Sequence, residues 1–153
     1  MIRIQKILVP TDFSVCAEPA LTYAAELASN VKARLYVLHV VEHSSDGGDV
    51  DSNKYIIPEY ISEVEKKLNQ KLAGITDELR LRGIDAHPVL APGRAYADIV
   101  RISDELGVDL IVISTHGRTG FSHLVFGSTA EKVVRLATCP VLTVKSQSNM
   151  IAA

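Results

Sequence analysis

Short apolar runs rich in β-branched residues alternate along the chain with longer segments whose apolar residues repeat every three or four positions. Such runs are typical of buried strands, and the three-to-four spacing is typical of helices with one buried face. The segments between the runs therefore indicate helices. The runs predict five strands, at residues 6–10, 35–41, 85–91, 108–113 and 139–144.

The first two helices are predicted by their apolar spacing and by residues near their ends. Pro19 has no N–H to donate, so it belongs in the first turn and places the start of the first helix near residues 14–18. The second helix should be the longest and should stop at Gly83. Their apolar faces consist of Leu21, Ala24, Ala25 and Ala28 in the first, and of Ile61, Val64, Leu68, Leu72, Ile75 and Leu79 in the second.

Two shorter helices and one polar loop complete the pattern. The third helix is predicted at residues 94–106, with Gly107 at its end, and the fourth at residues 128–136. The polar stretch at 42–53 contains two glycines and several acids, which is typical of a mobile loop. The helical spacing consists of Ala95, Ile99, Ile102 and Leu106 in the third helix, and of Ala130, Val133, Val134 and Leu136 in the fourth.

Strands that alternate with helices predict a parallel sheet covered by helices on both faces. Pro88 would remove a ladder hydrogen bond from a central strand, so the third strand belongs at an edge. Ligands bind such sheets where the winding direction reverses. The order 3-2-1-4-5 brings the segments after strands one and four to one crevice. We therefore expect an α/β fold with an open five-stranded parallel sheet in that order.

Length and composition indicate one ordinary domain, because 153 residues with 47% hydrophobic side chains can bury a single core. We expect a domain at 1–146 and a flexible tail at 147–153. A formal net charge of −2 provides no broad field for nucleic acid. No run approaches the roughly 18 apolar residues of a membrane span, and no secretory signal pattern is visible. The expected location is cytoplasmic, with neither nucleic acid nor membrane as a partner.

The segment after strand four, STHGRTGFSHLVFGST at residues 114–129, combines three glycines with several polar residues. Glycine lets a ligand approach the main chain closely. Gly127, Ser128 and Thr129 open a helix, where unpaired amides and the helix dipole favour an anion. Arg118 could add a charge-assisted contact to phosphate. The position of this loop beside the expected crevice favours a phosphate site.

The alternative is that Gly117 and Gly120 only turn the chain while Ser128 caps the last helix. Two better-known phosphate motifs are absent, since the chain contains neither GxxxxGK[ST] nor GxGxxG. No lysine and no obvious pair of carboxylates accompany the loop. The residues needed for rapid phosphoryl transfer are therefore not visible in the sequence.

Asp12, in the segment PTDFS after strand one, can accept hydrogen bonds from a ribose hydroxyl or a base amine. It could equally cap the first helix, a role for which Ser14 is also suited. Val40 ends strand two and could offer backbone groups to an adenine edge, although its sequence context alone indicates a core residue. Both interpretations of Asp12 remain open.

Histidines and cysteines provide no clear metal or redox pattern. His116 and His123 lie on the glycine loop without a second ligand at short spacing, so polar or phosphate-adjacent roles are expected rather than zinc binding. Cys16 and Cys139 are far apart and form no CxxC motif. Each is expected to be a buried structural thiol.

Several segments together resemble the universal stress protein family over essentially the whole chain: ILVPTDFS, LYVLHVV, STHGRTG with GSTAEKVVR, and CPVLTVK. The resemblance implies a Rossmann-like adenine-nucleotide-binding fold and a homodimer. The branch of the family that binds ATP carries a glycine, two residues, a glycine, nine residues, and then glycine with serine or threonine. Residues 114–128 keep this spacing, with Ser114 in place of the first glycine.

The resemblance also implies roles for single residues around ATP, ADP or AMP. Asp12 and Val40 would face the ribose and the adenine, and Pro10 and Thr11 would shape the pocket floor. Ile113, at the end of strand four, is a further candidate for the pocket. Magnesium would be held chiefly by the phosphates. The residues implied around the phosphates are Ser114, Gly117, Arg118, Gly127, Ser128 and Thr129.

Three functions remain open at this stage. The first is an ATP-binding stress-resistance module whose nucleotide state alters its conformation or partners, with at most slow hydrolysis. The second is a true ATPase, and the third is a nucleotide-free structural or chaperone-like dimer. The dimer is expected to form through the last strand, at 139–145, because an apolar edge strand is usually covered.

Overall fold

The computed structural model describes residues 1–42, 58–116 and 126–146, together with their side chains except those of residues 58–61. Within these residues strands and helices alternate, as the sequence predicts. The strands are β1 (Lys6–Pro10), β2 (Arg34–Val41), β3 (Ala86–Pro92), β4 (Leu110–Ser114) and β5 (Val141–Val144). The helices are α1 (Glu18–Val31), α2 (Pro58–Leu81), α3 (Ala95–Leu106) and α4 (Ser128–Leu136).

The strands form one parallel sheet in the order β3-β2-β1-β4-β5. Ile7 of the central strand β1 pairs with Leu35 of β2 on one side and with Leu110 of β4 on the other. The winding direction reverses between β1 and β4, because β2 and β3 follow on one side of β1 and β5 follows on the far side of β4. The predicted α/β fold and strand order are confirmed.

The hydrophobic core has two halves, one on each face of the sheet. Successive strand residues point to opposite faces. Ile7 and Val9 therefore pack with α1 and α2, whereas Leu8 packs with α3 and α4, and all three side chains are 0% exposed. Both faces of the sheet are covered by helices, as the nearly continuous apolar runs indicate.

Pro88 lies in β3, at one edge of the sheet, opposite Val37 of β2. An edge strand can place the missing amide of a proline on the side that needs no ladder hydrogen bond. The edge position inferred from this one residue is confirmed. The opposite edge of the sheet is formed by β5.

Both predicted glycine stops end their helices with left-handed backbone. Gly83 has φ +81° after α2, and Gly107 has φ +60° after α3. Beyond Gly107, the Val108 amide donates to the Ser103 carbonyl at 3.0 Å and so completes the end of the helix. This bond explains why β4 begins at Leu110 rather than at residue 108 as predicted.

Other predicted boundaries change at prolines and at the start of α1. β5 begins at Val141 rather than at residue 139, and it follows Pro140, which has no amide. α1 starts at Glu18 after a short 3-10 turn at Val15–Ala17, and Pro19 lies in its first turn as expected. Leu21 packs partly buried against the same core as Ala24, Ala25 and Ala28, and Ala20 is a further fully buried residue of this helix.

Helix α4 matches its predicted bounds, but only part of its apolar pattern is buried. Ala130 and Val133 are 3% and 0% exposed, whereas Val134 and Leu136 are 45% and 54% exposed. The last two lie off the buried face because a helix turns once every 3.6 residues.

No helix among the described residues is long and apolar enough to cross a membrane. The predicted loop beyond Glu42 and the tail at 147–153 lie outside the described residues.

Candidate functional site

The candidate site lies at the carboxyl edge of the sheet, where β1 and β4 are neighbours and the winding reverses. Three segments converge there: the turn after β1, the end of β4 and the start of α4. Ser114 joins the first two, because its hydroxyl donates to the Cys16 carbonyl at 2.6 Å. Gly127 joins the last two, because its amide donates to the Thr115 carbonyl at 2.6 Å. The segments after β1 and β4, which the predicted strand order brings together, therefore meet where the winding reverses.

The turn after β1 is held by short hydrogen bonds around Asp12. The Asp12 carboxylate accepts from the Ser14 amide at 2.9 Å and from the Ser14 hydroxyl at 2.5 Å. The Thr11 hydroxyl accepts from the Phe13 amide at 3.1 Å, and Phe13 has φ +62°, which is unusual for a residue with a side chain. Ser14 is the N-cap residue of the 3-10 turn that leads into α1, and Ala17 is the N-cap residue of α1 itself; neither helix start has a side-chain cap hydrogen bond. The Asp12 carboxylate therefore stabilises the turn after β1.

The end of β4 is buried and firmly attached on both sides. Ser114 is 8% exposed and Thr115 is 2% exposed. The Thr115 amide donates to the Val144 carbonyl at 3.0 Å, and its hydroxyl lies 3.0 Å from Nδ1 of His116. These bonds fix the first described residues of the glycine segment before it leaves the sheet.

Helix α4 starts directly beside this strand end. Its N-cap residue is Gly127, so Ser128 is the first helical residue and is not the cap. A glycine has no side chain with which to cap the first amides of the helix. Any Cβ at Gly127 would lie 3.0 Å from the Thr115 carbonyl oxygen, so the close approach of the two backbones favours glycine.

The start of α3, at the same edge of the sheet, is occupied by carboxylates of the chain itself. Glu42 accepts from the Ala95 amide at 2.8 Å, and Asp98 accepts from the Arg94 amide at 2.8 Å. Negative groups at a helix start are favoured by the helix dipole. The two neighbouring helices therefore differ in their first amides: those of α3 donate to carboxylates, whereas α4 begins with glycine, serine and threonine and has Glu131 later in its first turn.

Two positive side chains accompany the starts of α3 and α4. Arg94 lies 3.4 Å from the Tyr96 hydroxyl, and the ammonium group of Lys132 lies 4.5 Å from the centre of the Tyr96 ring. The Arg94 guanidinium lowers the pKa of Tyr96, because a nearby positive charge favours the phenolate. Positive and negative side chains therefore both surround the start of α3.

The remaining predicted site residues lie in different surroundings. Pro10 ends β1, and Val40 lies near the end of β2 with its side chain partly buried in the core. The side chain of Ile113, in β4, is 5% exposed and packs in the core, so a ligand could reach only its backbone. Gly117 and Arg118 lie outside the described residues. Their roles in binding stay predictions.

Two residues beside the candidate site, His39 and Thr115, were given no site role from the sequence. His39 is 6% exposed in β2, and its Nδ1 lies 2.8 Å from the Thr11 carbonyl oxygen. Thr115 links β4 to β5 and to α4. His39 is a single polar residue in an apolar run, and Thr115 is one of several polar residues in the glycine segment, so neither position carries a local signal of its role. A buried polar residue at the end of a strand would have been the clue.

Metal-binding side chains and cysteine thiols are the other groups that could carry chemistry in the described part of the chain. Within residues 1–42, 58–116 and 126–146 no group of three or more His, Cys, Asp or Glu side chains could hold a metal ion. Cys16 and Cys139 are both free thiols and are partly buried rather than fully buried as predicted. Burial raises the pKa of the Cys139 thiol, which keeps it protonated at neutral pH.

Comparison with known proteins finds the same family at the level of sequence. The profile of the universal stress protein family matches residues 3–145. A universal stress protein of Methanocaldococcus jannaschii is 31% identical, over 95% of this chain and 97% of its own. The universal stress protein YxiE of Bacillus subtilis is 34% identical, over 92% of this chain and 98% of its own.

Solved structures agree with the sequence matches. The structure of the same M. jannaschii protein superposes with a TM-score of 0.75 and 29% identity, over 94% of this chain and 97% of that chain. A universal stress protein of Archaeoglobus fulgidus in complex with dAMP gives a TM-score of 0.63 and 27% identity, over 95% of this chain and 100% of that chain. Together with the match over residues 3–145, these likenesses show that the chain belongs to the universal stress protein family.

Proposed function

We propose that this chain is a cytosolic adenine-nucleotide-binding module, which takes ATP, ADP or AMP and hydrolyses ATP slowly at most. The observation that carries the proposal is the convergence of three segments at one crevice, through the bonds from Ser114 to Cys16 and from Gly127 to Thr115. The related A. fulgidus protein in complex with dAMP supports the choice of an adenine nucleotide. The nucleotide state would alter the conformation or the partners of the module in a stress response.

The phosphates are proposed to lie at the start of α4. Backbone amides of Ser128 and Thr129, with their hydroxyls, offer donors that the N-cap glycine does not occupy with a side chain. Ser114 would line the same end, together with Gly117 and Arg118 from the part of the loop outside the described residues. At α3 the Arg94 and Ala95 amides already donate to carboxylates of the chain, so that neighbouring helix start is less available to an anion.

The adenosine is proposed to lie between the turn after β1 and the end of β2. Asp12 would accept hydrogen bonds from the ribose hydroxyls, and Val40 would offer backbone groups to the adenine. Pro10 and Thr11 would form the floor, with the backbone of Ile113 beside it. Magnesium would bind chiefly through the phosphate oxygens, since phosphate-held Mg²⁺ commonly keeps several waters.

Binding is tested by calorimetry and thermal unfolding on nucleotide-free protein. ATP at a hundredfold excess over its dissociation constant should stabilise the fold by about 2.7 kcal/mol. Asp12→Ala should weaken binding by about tenfold or more, because a hydrogen bond to a charged group is lost. Asp77→Ala is the matched control, since Asp77 is an exposed carboxylate of α2 that pairs with Arg80. Equal affinity in both variants would contradict the assignment of Asp12.

The same titration separates the two other functions. A nucleotide-free structural or chaperone-like dimer would show neither heat nor stabilisation with any adenine nucleotide. A true ATPase would show steady phosphate release that disappears when Gly127 or Asp12 is changed. The described residues around the crevice include no lysine placed as in a P-loop, which favours the binding module over the enzyme.

We also propose a homodimer formed through the edge strand at 139–145. β5 pairs with β4 on one side, and no other strand of the described chain pairs with its outer side. Val141, Leu142 and Val144 are only partly buried, so a second copy would cover an apolar edge. Light scattering should give twice the chain mass of 16.6 kDa at micromolar concentration. A mass of one chain would contradict the dimer.

A further inference from the structure

His39 is a buried polar residue that the proposed function does not use. It lies in β2, is 6% exposed, and its Nδ1 lies 2.8 Å from the Thr11 carbonyl oxygen. A carbonyl oxygen can only accept a hydrogen bond, so Nδ1 must carry the proton in this contact. The tautomer of His39 is therefore set by the backbone of the turn after β1.

The same ring also supports the turn from its side. The centre of the Phe13 ring lies 4.5 Å from the centre of the His39 ring, with the two planes inclined by 35°. Phe13 adopts left-handed backbone at φ +62°, a conformation that persists only where surrounding contacts enforce it. The ammonium group of Lys71, in α2, lies 5.3 Å from the centre of the Phe13 ring. The turn is thus packed between β2 and α2.

Asp12 lies between the two residues that His39 contacts. Thr11 is attached through its carbonyl and Phe13 through its ring, while the Asp12 carboxylate accepts from Ser14 within the same turn. The Thr11 amide is also fixed, since it donates to the Leu38 carbonyl at 2.8 Å. The direction in which Asp12 presents its carboxylate therefore depends on contacts made by β2.

We infer that His39 is a positioning residue for the nucleotide site: by donating from Nδ1 to the Thr11 carbonyl, it fixes the turn that presents Asp12 to the ribose. This inference rests on the proposed nucleotide binding. His39 contacts no ligand itself in this role. Its loss should therefore weaken recognition of the ribose hydroxyls more than recognition of the phosphates.

The experiment compares ATP with 2′,3′-dideoxy-ATP, which has the same base and phosphates but lacks both ribose hydroxyls. In the unchanged protein ATP should bind about tenfold or more tightly than the dideoxy analogue, as expected for a hydrogen bond to a charged group. His39→Leu keeps an apolar side chain of similar bulk without the donor, and it should bring this ratio close to one. His39→Asn should restore the ratio, because its amide nitrogen stands at the position of Nδ1.

Two further variants keep the test decisive. If His39→Leu does not fold, His39→Gln replaces it, because its amide nitrogen lies one bond farther out and misses the Thr11 carbonyl. Asp12→Ala should also abolish the ratio, and its effect should not add to that of His39→Leu. A folded His39→Leu or His39→Gln variant that keeps the full ratio would overturn the inference. Absence of ATP binding by the unchanged protein would overturn it together with the proposed function.

Discussion

Leu72→Ala is expected to lower the free energy of unfolding by about 2–5 kcal/mol. Leu72 lies in α2 and is 0% exposed. It belongs to the half of the core between α1, α2 and the sheet face that carries Ile7 and Val9. Removing three buried carbons loses their transfer energy and leaves a cavity that close-packed neighbours fill only in part. The loss is a large share of the roughly 5–15 kcal/mol that stabilises a typical domain.

Leu81→Ala is the matched control for this substitution. It makes the same chemical change in the same helix, at a side chain that is 90% exposed. An exposed change away from special contacts should alter the free energy of unfolding by no more than about 0.5 kcal/mol. Urea denaturation followed by circular dichroism measures both variants. Equal midpoints for the two would show that α2 does not pack on the sheet as described.

Local signals predicted the elements because each signal acts within a few residues. Gly83 and Gly107 stop their helices where left-handed backbone is needed, and Pro88 excludes a central strand. These effects depend on the backbone of one residue, so one sequence suffices to infer them. The predicted strand order follows from combining the Pro88 edge with the positions of the two polar segments.

Bounds and side-chain roles were less predictable, because they depend on partners distant in sequence. The Ser114 hydroxyl bonds to a carbonyl 98 residues away, and His39 bonds to one 28 residues away. No spacing rule connects such pairs before the fold is known. The left-handed backbone at Phe13 and Lys32 likewise has no glycine to indicate it. The sequence therefore indicated which segments meet at the candidate site, but not which bonds hold them together.

Gly127→Val is expected to remove nearly all of the stabilisation by ATP while leaving the fold intact. A Cβ at this position would lie 3.0 Å from the Thr115 carbonyl oxygen, which already accepts the Gly127 amide at 2.6 Å. The branched side chain of valine would have to push the start of α4 away from the end of β4. The amides of Ser128 and Thr129 would then no longer face the crevice in the geometry that phosphates require.

Gly74→Val is the matched control, because a Cβ at Gly74 in α2 meets no atom within 4 Å. It should keep the full ATP-dependent stabilisation of about 2.7 kcal/mol at a hundredfold ligand excess. Thermal unfolding is measured for each variant with and without ATP. Because each variant is compared with itself, a small loss of stability without ligand is not mistaken for a loss of ATP binding. If Gly127→Val responded to ATP as fully as Gly74→Val, the phosphates would have to bind elsewhere than at the start of α4.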